Sequence, residues 1–171
     1  MAETLLAWFT RYSYDPKDVE VRLKGRPVLL YEPPETAESK SDDDDDYQFR
    51  TQSGLELTSI GGGEPLAVIV EKTKDNAFQR RVTIGRTNNN DIVLDDTSVS
   101  RFHAWLQQDE ATQQWLLYDA GSRNGTMAAG KKLAPKAAVT LTVGVKVKIG
   151  SVELTFYSAD GFLKLLKQRA T

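Results

Sequence analysis

The 171-residue chain contains no cysteine and one histidine, His103. The first absence excludes a disulfide scaffold, a thiol nucleophile and any thiolate metal site. The second excludes His-rich metal centres and paired-histidine catalysis. No apolar run approaches the ~20 residues that span a bilayer. The opening stretch MAETLLAWFTRYSYD has an acid where a leader needs basic residues, and it lacks a sustained apolar core. These absences lead to the expectation of a cytoplasmic protein. Charge of one sign is also scarce overall, with a net of −2, but it is unevenly spread. Residues 32–46 hold eight acids and one base, whereas residues 66–158 hold twelve Lys/Arg and nine Asp/Glu. That +3 excess is too small for nucleic-acid binding and suits a local anion site.

Hydrophobic residues make up 40% of the chain and charged residues 27%, in the ordinary range for a globular protein. Residues 1–31 are expected to be a partly ordered extension. Leu5, Trp8, Phe9 and Tyr12 fall at helical spacing, and Asp15-Pro16 is read as a break. Alternating Val19, Val21 and Leu23, then Gly25 and Val28–Tyr31, predict a β-hairpin. Residues 32–65 are expected to be an acidic linker containing Gly and Pro. EPPETAESKSDDDDD offers like charges and no large apolar side chain, and Gly61-Gly62-Gly63-Glu64-Pro65 closes it.

From Leu66 to Ser158 the pattern changes to many short apolar or alternating stretches. LAVIVEK, RRVTIG, HAWLQQ, QWLLYD, VKVKIG and VELTFY are separated by turn residues such as Asn88-Asn89-Asn90 and Asn124-Gly125. This predicts an all-β sandwich on the scale of about 100 residues. Residues 159–171 are expected to form a C-terminal helix on an open end of the sandwich. Its apolar stripe is Phe162, Leu163, Leu165 and Leu166, with Ser158 or Asp160 as cap.

The informative side chains sit between the strands. Three loops supply Arg86, Arg101 and Arg123, the hydroxyls of Ser98, Ser100 and Ser122, and the Asn124 amide. A set rich in guanidinium and hydroxyl donors, with one histidine as its only general base, binds an oxyanion and has no evident means of transforming it. No enzymatic activity, cofactor or metal is expected. Asp95 and Asp96 read as loop acids, and Trp105 and Trp115 as core.

The stretch VTIGRTNNNDIVLDDTSVSRFHAWL, followed by WLLYDAGSRNGT, resembles a forkhead-associated (FHA) domain. Gly85-Arg86, Ser100-Arg101-Phe102-His103 and Asn124-Gly125 match its recurring signatures in family order, and the likeness covers roughly residues 66–158. The resemblance implies a sandwich of about eleven strands whose loops bind phosphothreonine peptides. It implies phosphate contacts from Arg86 and Ser100, a second cation at Arg101, and a grip on the peptide main chain by Arg123 and Asn124. Gly85, His103, Gly125 and Thr126 would support the site structurally. Ser98, Val99, Thr126 and Met127 would read the residues flanking the phosphothreonine. One departure is visible: Ala129 stands where the family often has a second Asn before Gly130.

The expected function is therefore a non-enzymatic adaptor in Ser/Thr kinase signalling. Its partner is a phosphothreonine protein made by an upstream kinase, with no nucleic acid or membrane involved. The alternative is a phosphate-independent scaffold docking through residues 1–31. The acidic linker reads as a solvated spacer. A phosphorylated Thr36, Thr51 or Thr58 folding back onto the domain's own site is the competing reading.

Overall fold

The computed structural model of the chain describes residues 2–33 and 64–170. The expectations for residues 34–63, including the three tail threonines, lie outside the described residues.

The chain begins with strand β1 (Ala2–Thr4), helix α1 (Leu5–Tyr14), helix α2 (Pro16–Leu23) and strand β2 (Val28–Tyr31). Strand β3 (Leu66–Ile69) follows, then β4 (Val82–Gly85), β5 (Ile92–Val93), β6 (Ala104–Gln108) and β7 (Trp115–Asp119). The remainder comprises β8 (Thr126–Ala128), β9 (Lys131–Lys132), β10 (Ala138–Leu141), β11 (Lys146–Ile149), β12 (Val152–Tyr157) and helix α3 (Ala159–Ala170). A seven-stranded sheet has the order β1-β3-β2-β12-β11-β8-β9, and a five-stranded sheet the order β10-β7-β6-β4-β5. Twelve strands are thus present among the described residues, against about eleven expected.

Period-2 alternation divides the side chains between faces. Val147 and Ile149 of β11 are buried while Lys146 and Lys148 are exposed. Val152, Leu154 and Phe156 of β12 point the same way and meet Ile84, Leu106 and Leu117 of the facing sheet in the core. In β2 and β3 both faces are apolar. Leu29, Leu66 and Val68 enter the core between the sheets, whereas Val28, Leu30 and Ala67 face the other way. On that outer face they are covered by Leu5, Trp8, Val19 and Leu23 of the N-terminal helices and by Phe162 and Leu166 of α3. Trp8 meets Phe162 edge-on at 5.6 Å. A strand buried on both faces needs a third layer, and the helices provide it.

Two expectations are corrected here. Residues 16–23 form a helix, not the first strand of a hairpin. Asp15-Pro16 is a start signal: the Asp15 carboxylate accepts from Lys17 N at 3.0 Å, and proline occupies the first turn. Val19 and Leu23, four residues apart, are buried, while Val21 is 66% exposed. Alternation over five residues contains an i, i+4 pair, and burial selected that pair. Helix α3, capped by Ser158 Oγ accepting from Gly161 N at 3.1 Å, lies against the outer face of the seven-stranded sheet and α1, not on an open end of the sandwich.

Residues 2–31 are consequently built into the sandwich. Strand β2 pairs with β12 on one side and β3 on the other. A docking piece that must be free to leave the domain would strip β12 of its neighbour, which weighs against the scaffold alternative. Among the described residues no helix is long and apolar enough to cross a membrane.

Candidate functional site

Three loops meet at one rim of the sandwich. Loop 86–91 leaves β4, loop 94–103 leads into β6, and loop 120–125 joins β7 to β8. Backbone bonds tie the first two: Arg86 N donates to Ser100 O at 3.0 Å and His103 N to Ile84 O at 2.9 Å. Asn90, buried, donates from its amide to Arg101 O at 2.7 Å and to Thr87 O at 2.9 Å. This packing leaves no room at Gly85, where a Cβ would lie 2.1 Å from Arg101 O.

Two buried carboxylates hold the loop bases. Burial raises the Asp91 pKa, but an ammonium bond from Lys72 and backbone donors at Thr83, Lys74 and Thr73 outweigh it and leave the group below its ordinary value. Asp119 behaves alike: burial raises it, and donors from Ser122, Thr126 and Gly121 bring it lower overall. Its oxygens accept from Ser122 Oγ at 2.5 Å, Thr126 Oγ1 at 2.7 Å and Gly121 N at 2.9 Å. Thr126 is fully buried by this bond. It therefore cannot read a ligand, contrary to the expectation that it helps to sense flanking residues. Val99, 1% exposed, likewise has its side chain in the core.

His103 is fully buried and joins two loops. Its Nδ1 accepts from Ser100 N at 2.9 Å, so the ring proton resides on Nε2, which donates to Gly125 O at 2.9 Å. Burial lowers its pKa, and the bond to Gly125 and the Asp119 charge only partly oppose this. The unfolded chain therefore binds the proton more readily. Stability is fully present above about pH 6.5 and declines as the pH falls through the lower folded value. Protonation would also set an Nδ1–H against the Ser100 N–H. Urea denaturation at pH 7.5 and 5.5 should show lower stability at 5.5. Because the chain has one histidine, His103→Asn should flatten that dependence.

The residues singled out for chemistry converge. Arg86, Ser100, Arg101, Arg123 and Asn124 all line one cavity of about 370 Å³, together with Thr97, Ser98, Val99 and Phe102. No carboxylate lines it. The three serine hydroxyls part company here. Ser98 Oγ donates to Asp96 at 2.6 Å, and Ser122 Oγ donates to Asp119. Ser100 Oγ instead accepts from Arg123 N at 3.0 Å, and its proton has no acceptor among the described residues. The Asn124 amide donates to Ser98 O at 2.8 Å, which braces the side chain and leaves its oxygen and second N–H without a partner among the described residues. Among the described residues no group of three or more His, Cys, Asp or Glu could hold a metal.

Sequence reasoning passed over Asp119 and the bracing by Asn90, which appear only once partners are known. It also placed Trp105 in the core. Trp105 is buried, but on the outer face of the five-stranded sheet, stacked between Phe102 at 6.0 Å and Tyr118 at 4.9 Å under the Arg81 guanidinium. Trp115 does pack against the core. The departure at Ala129 falls at a conformationally costly position. Its φ is +51°, in the left-handed region where a Cβ costs about 1–2 kcal/mol and asparagine is better tolerated. Ala129→Asn should raise unfolding free energy by about 0.5–1 kcal/mol in urea titrations.

Fold and rim together define an all-β sandwich that presents an anion-receptive loop surface. The family model for the FHA domain matches residues 82–150. The oxoglutarate dehydrogenase inhibitor of Corynebacterium diphtheriae is 33% identical over 112 residues, covering 62% of this chain and 73% of that protein. The chain belongs to the FHA domain family. The mouse angiogenic factor with G patch and FHA domains 1 is 38% identical over 85 residues, covering 46% of this chain and 12% of that protein. The chain thus spans only a small part of that relative. The solution structure of the FHA domain of an Arabidopsis thaliana hypothetical protein superposes with a TM-score of 0.50 at 19% identity, over 80% of this chain and 87% of that one.

Proposed function

We propose that the chain is a non-enzymatic adaptor that binds phosphothreonine peptides through Arg86, Ser100, Arg101, Arg123 and Asn124. The observation that carries this reading is the pairing of Arg86 with the one rim serine whose hydroxyl proton is uncommitted, in a cavity lined by three guanidiniums and no acid. A phosphothreonine brings about −1.5 to −2 charge and three acceptor oxygens. Arg86 can meet two of them in its fixed plane, and Ser100 Oγ a third. Asn124, braced on Ser98, would hold the peptide main chain, a contact indifferent to sequence. A threonine methyl seated in the cavity adds about 0.8 kcal/mol over serine. His103, buried with both ring nitrogens engaged, suits bracing better than proton transfer. The adaptor is proposed to act in the cytoplasm, where a Ser/Thr kinase makes its ligand. Its own partner is a phosphothreonine protein.

Isothermal titration with matched phosphorylated, unphosphorylated and phosphoserine peptides tests the reading. Micromolar binding confined to the phosphorylated peptides, tighter for threonine than serine, is expected. Equal binding of phosphorylated and unphosphorylated peptides would refute it.

A further inference from the structure

We infer that the ligand carries a second anionic group next to its phosphothreonine, and that Lys132, with Arg123, reads it. The inference rests on the phosphothreonine reading above. It starts from a charge mismatch. Arg86, Arg101 and Arg123 line the cavity, and the phosphoryl group neutralises at most about two of these charges. A fourth cation lies beside the same rim.

Lys132 lies in β9, directly across from Met127 in β8. Its aliphatic stem crosses Gly125, the residue after Asn124. Gly125 has φ +85°, and a Cβ there would lie 2.8 Å from Lys132 Cε and 3.5 Å from Nζ. The end of the lysine side chain thus lies over the bare backbone of the Asn-Gly loop. The ammonium lies beside the loop that carries Arg123 and Asn124. Neither Lys132 nor Arg123 forms an ion pair among the described residues, and both are exposed. Two unmatched cations on one side of the phosphate position favour an anion there. The group they fit is a carboxylate of Asp or Glu, or a second phosphoryl, on a residue flanking the phosphothreonine. An exposed pair of this kind acts mainly on selectivity and association rate, and salt weakens it.

The test uses the full chain and phosphothreonine peptides carrying Gln, Glu or phosphoserine at each flanking position in turn. At one position Glu should bind about threefold tighter than Gln, as expected of an exposed ion pair, and phosphoserine tighter still. The advantage should shrink in 0.5 M salt, used as roughly three times physiological ionic strength. In Lys132→Gln the Gln-to-Glu affinity ratio should fall toward one, and Lys132→Arg should keep it. Position 132 is exposed, so folding is not at risk. The phosphoserine arm tells a carboxylate reader from a diphosphate reader. If phosphothreonine peptides bind but every ratio is one, or the ratio survives in Lys132→Gln, the inference fails and the proposed function stands. If no phosphorylated peptide binds, both fail.

Discussion

Arg86→Ala is expected to reduce phosphothreonine-peptide affinity at least a hundredfold, with the fold intact. The guanidinium can form two charge-assisted hydrogen bonds to one phosphoryl group, each contributing about 1.5–3 kcal/mol net. Losing both corresponds to roughly two to four orders of magnitude in Kd. The folded state depends little on this side chain. Its guanidinium has no hydrogen-bond or ion-pair partner among the described residues, and what joins Arg86 to the neighbouring loop is its main-chain N–H to Ser100 O, which alanine retains. Circular dichroism and thermal melting should therefore match the parent while titration shows no saturable binding. Arg86→Lys separates charge from geometry. An ammonium keeps the charge but cannot present a planar fork, so it should recover only part of the lost affinity. Full binding by Arg86→Ala would remove the phosphate role from this residue.

Gly85→Ala is expected to act on both stability and binding. The added methyl would stand 2.1 Å from Arg101 O, 2.6 Å from Asn90 Nδ2 and 2.8 Å from Arg101 C. None of these yields cheaply. The carbonyl is backbone and accepts from Asn90, and the Asn90 amide is buried and bonded to Thr87 and Arg101. Loops 86–91 and 94–103 must separate, which displaces Arg86 from Ser100. An overpacked site of this kind costs about 3 kcal/mol, lowering the melting temperature by about 6–12 °C for a domain of this size. Peptide affinity should fall even at temperatures where the variant remains folded. A variant that melts and binds like the parent would show that the close approach is not required. Arg86→Ala removes the phosphate-binding group and leaves its frame, whereas Gly85→Ala leaves the group and moves the frame.

Much of this was legible before any coordinates. Alternation such as Val147 and Ile149 against Lys146 and Lys148 places a strand with one buried face, because the side-chain period of two permits only that division. The Gly85-Arg86, Ser100-Arg101-Phe102-His103 and Asn124-Gly125 signatures contain Arg86, Ser100, Arg101, Phe102 and Asn124, which line the cavity. The N-terminal thirty residues were harder. Val19, Val21 and Leu23 satisfy a strand period and a helix period alike over so short a span, and only the buried partners Trp8, Phe162 and Leu30 decide between them. Asp15-Pro16 was legible as punctuation, but whether it ends one helix or begins the next is decided by which backbone N–H its carboxylate meets; here Asp15 caps both.

Amino-acid order alone determined the class of fold, the absence of cysteine chemistry and the identity of the cationic and hydroxyl residues on the loops. Those are properties of residue type and local spacing. Tertiary structure decided that β2 sits between β3 and β12, that a helical layer covers their outer face, and which of three serines keeps a proton to donate. It also set Lys132 across Gly125. These features depend on partners many residues away, brought together by burial and by buried acceptors such as Asp119, and no local pattern encodes such a meeting.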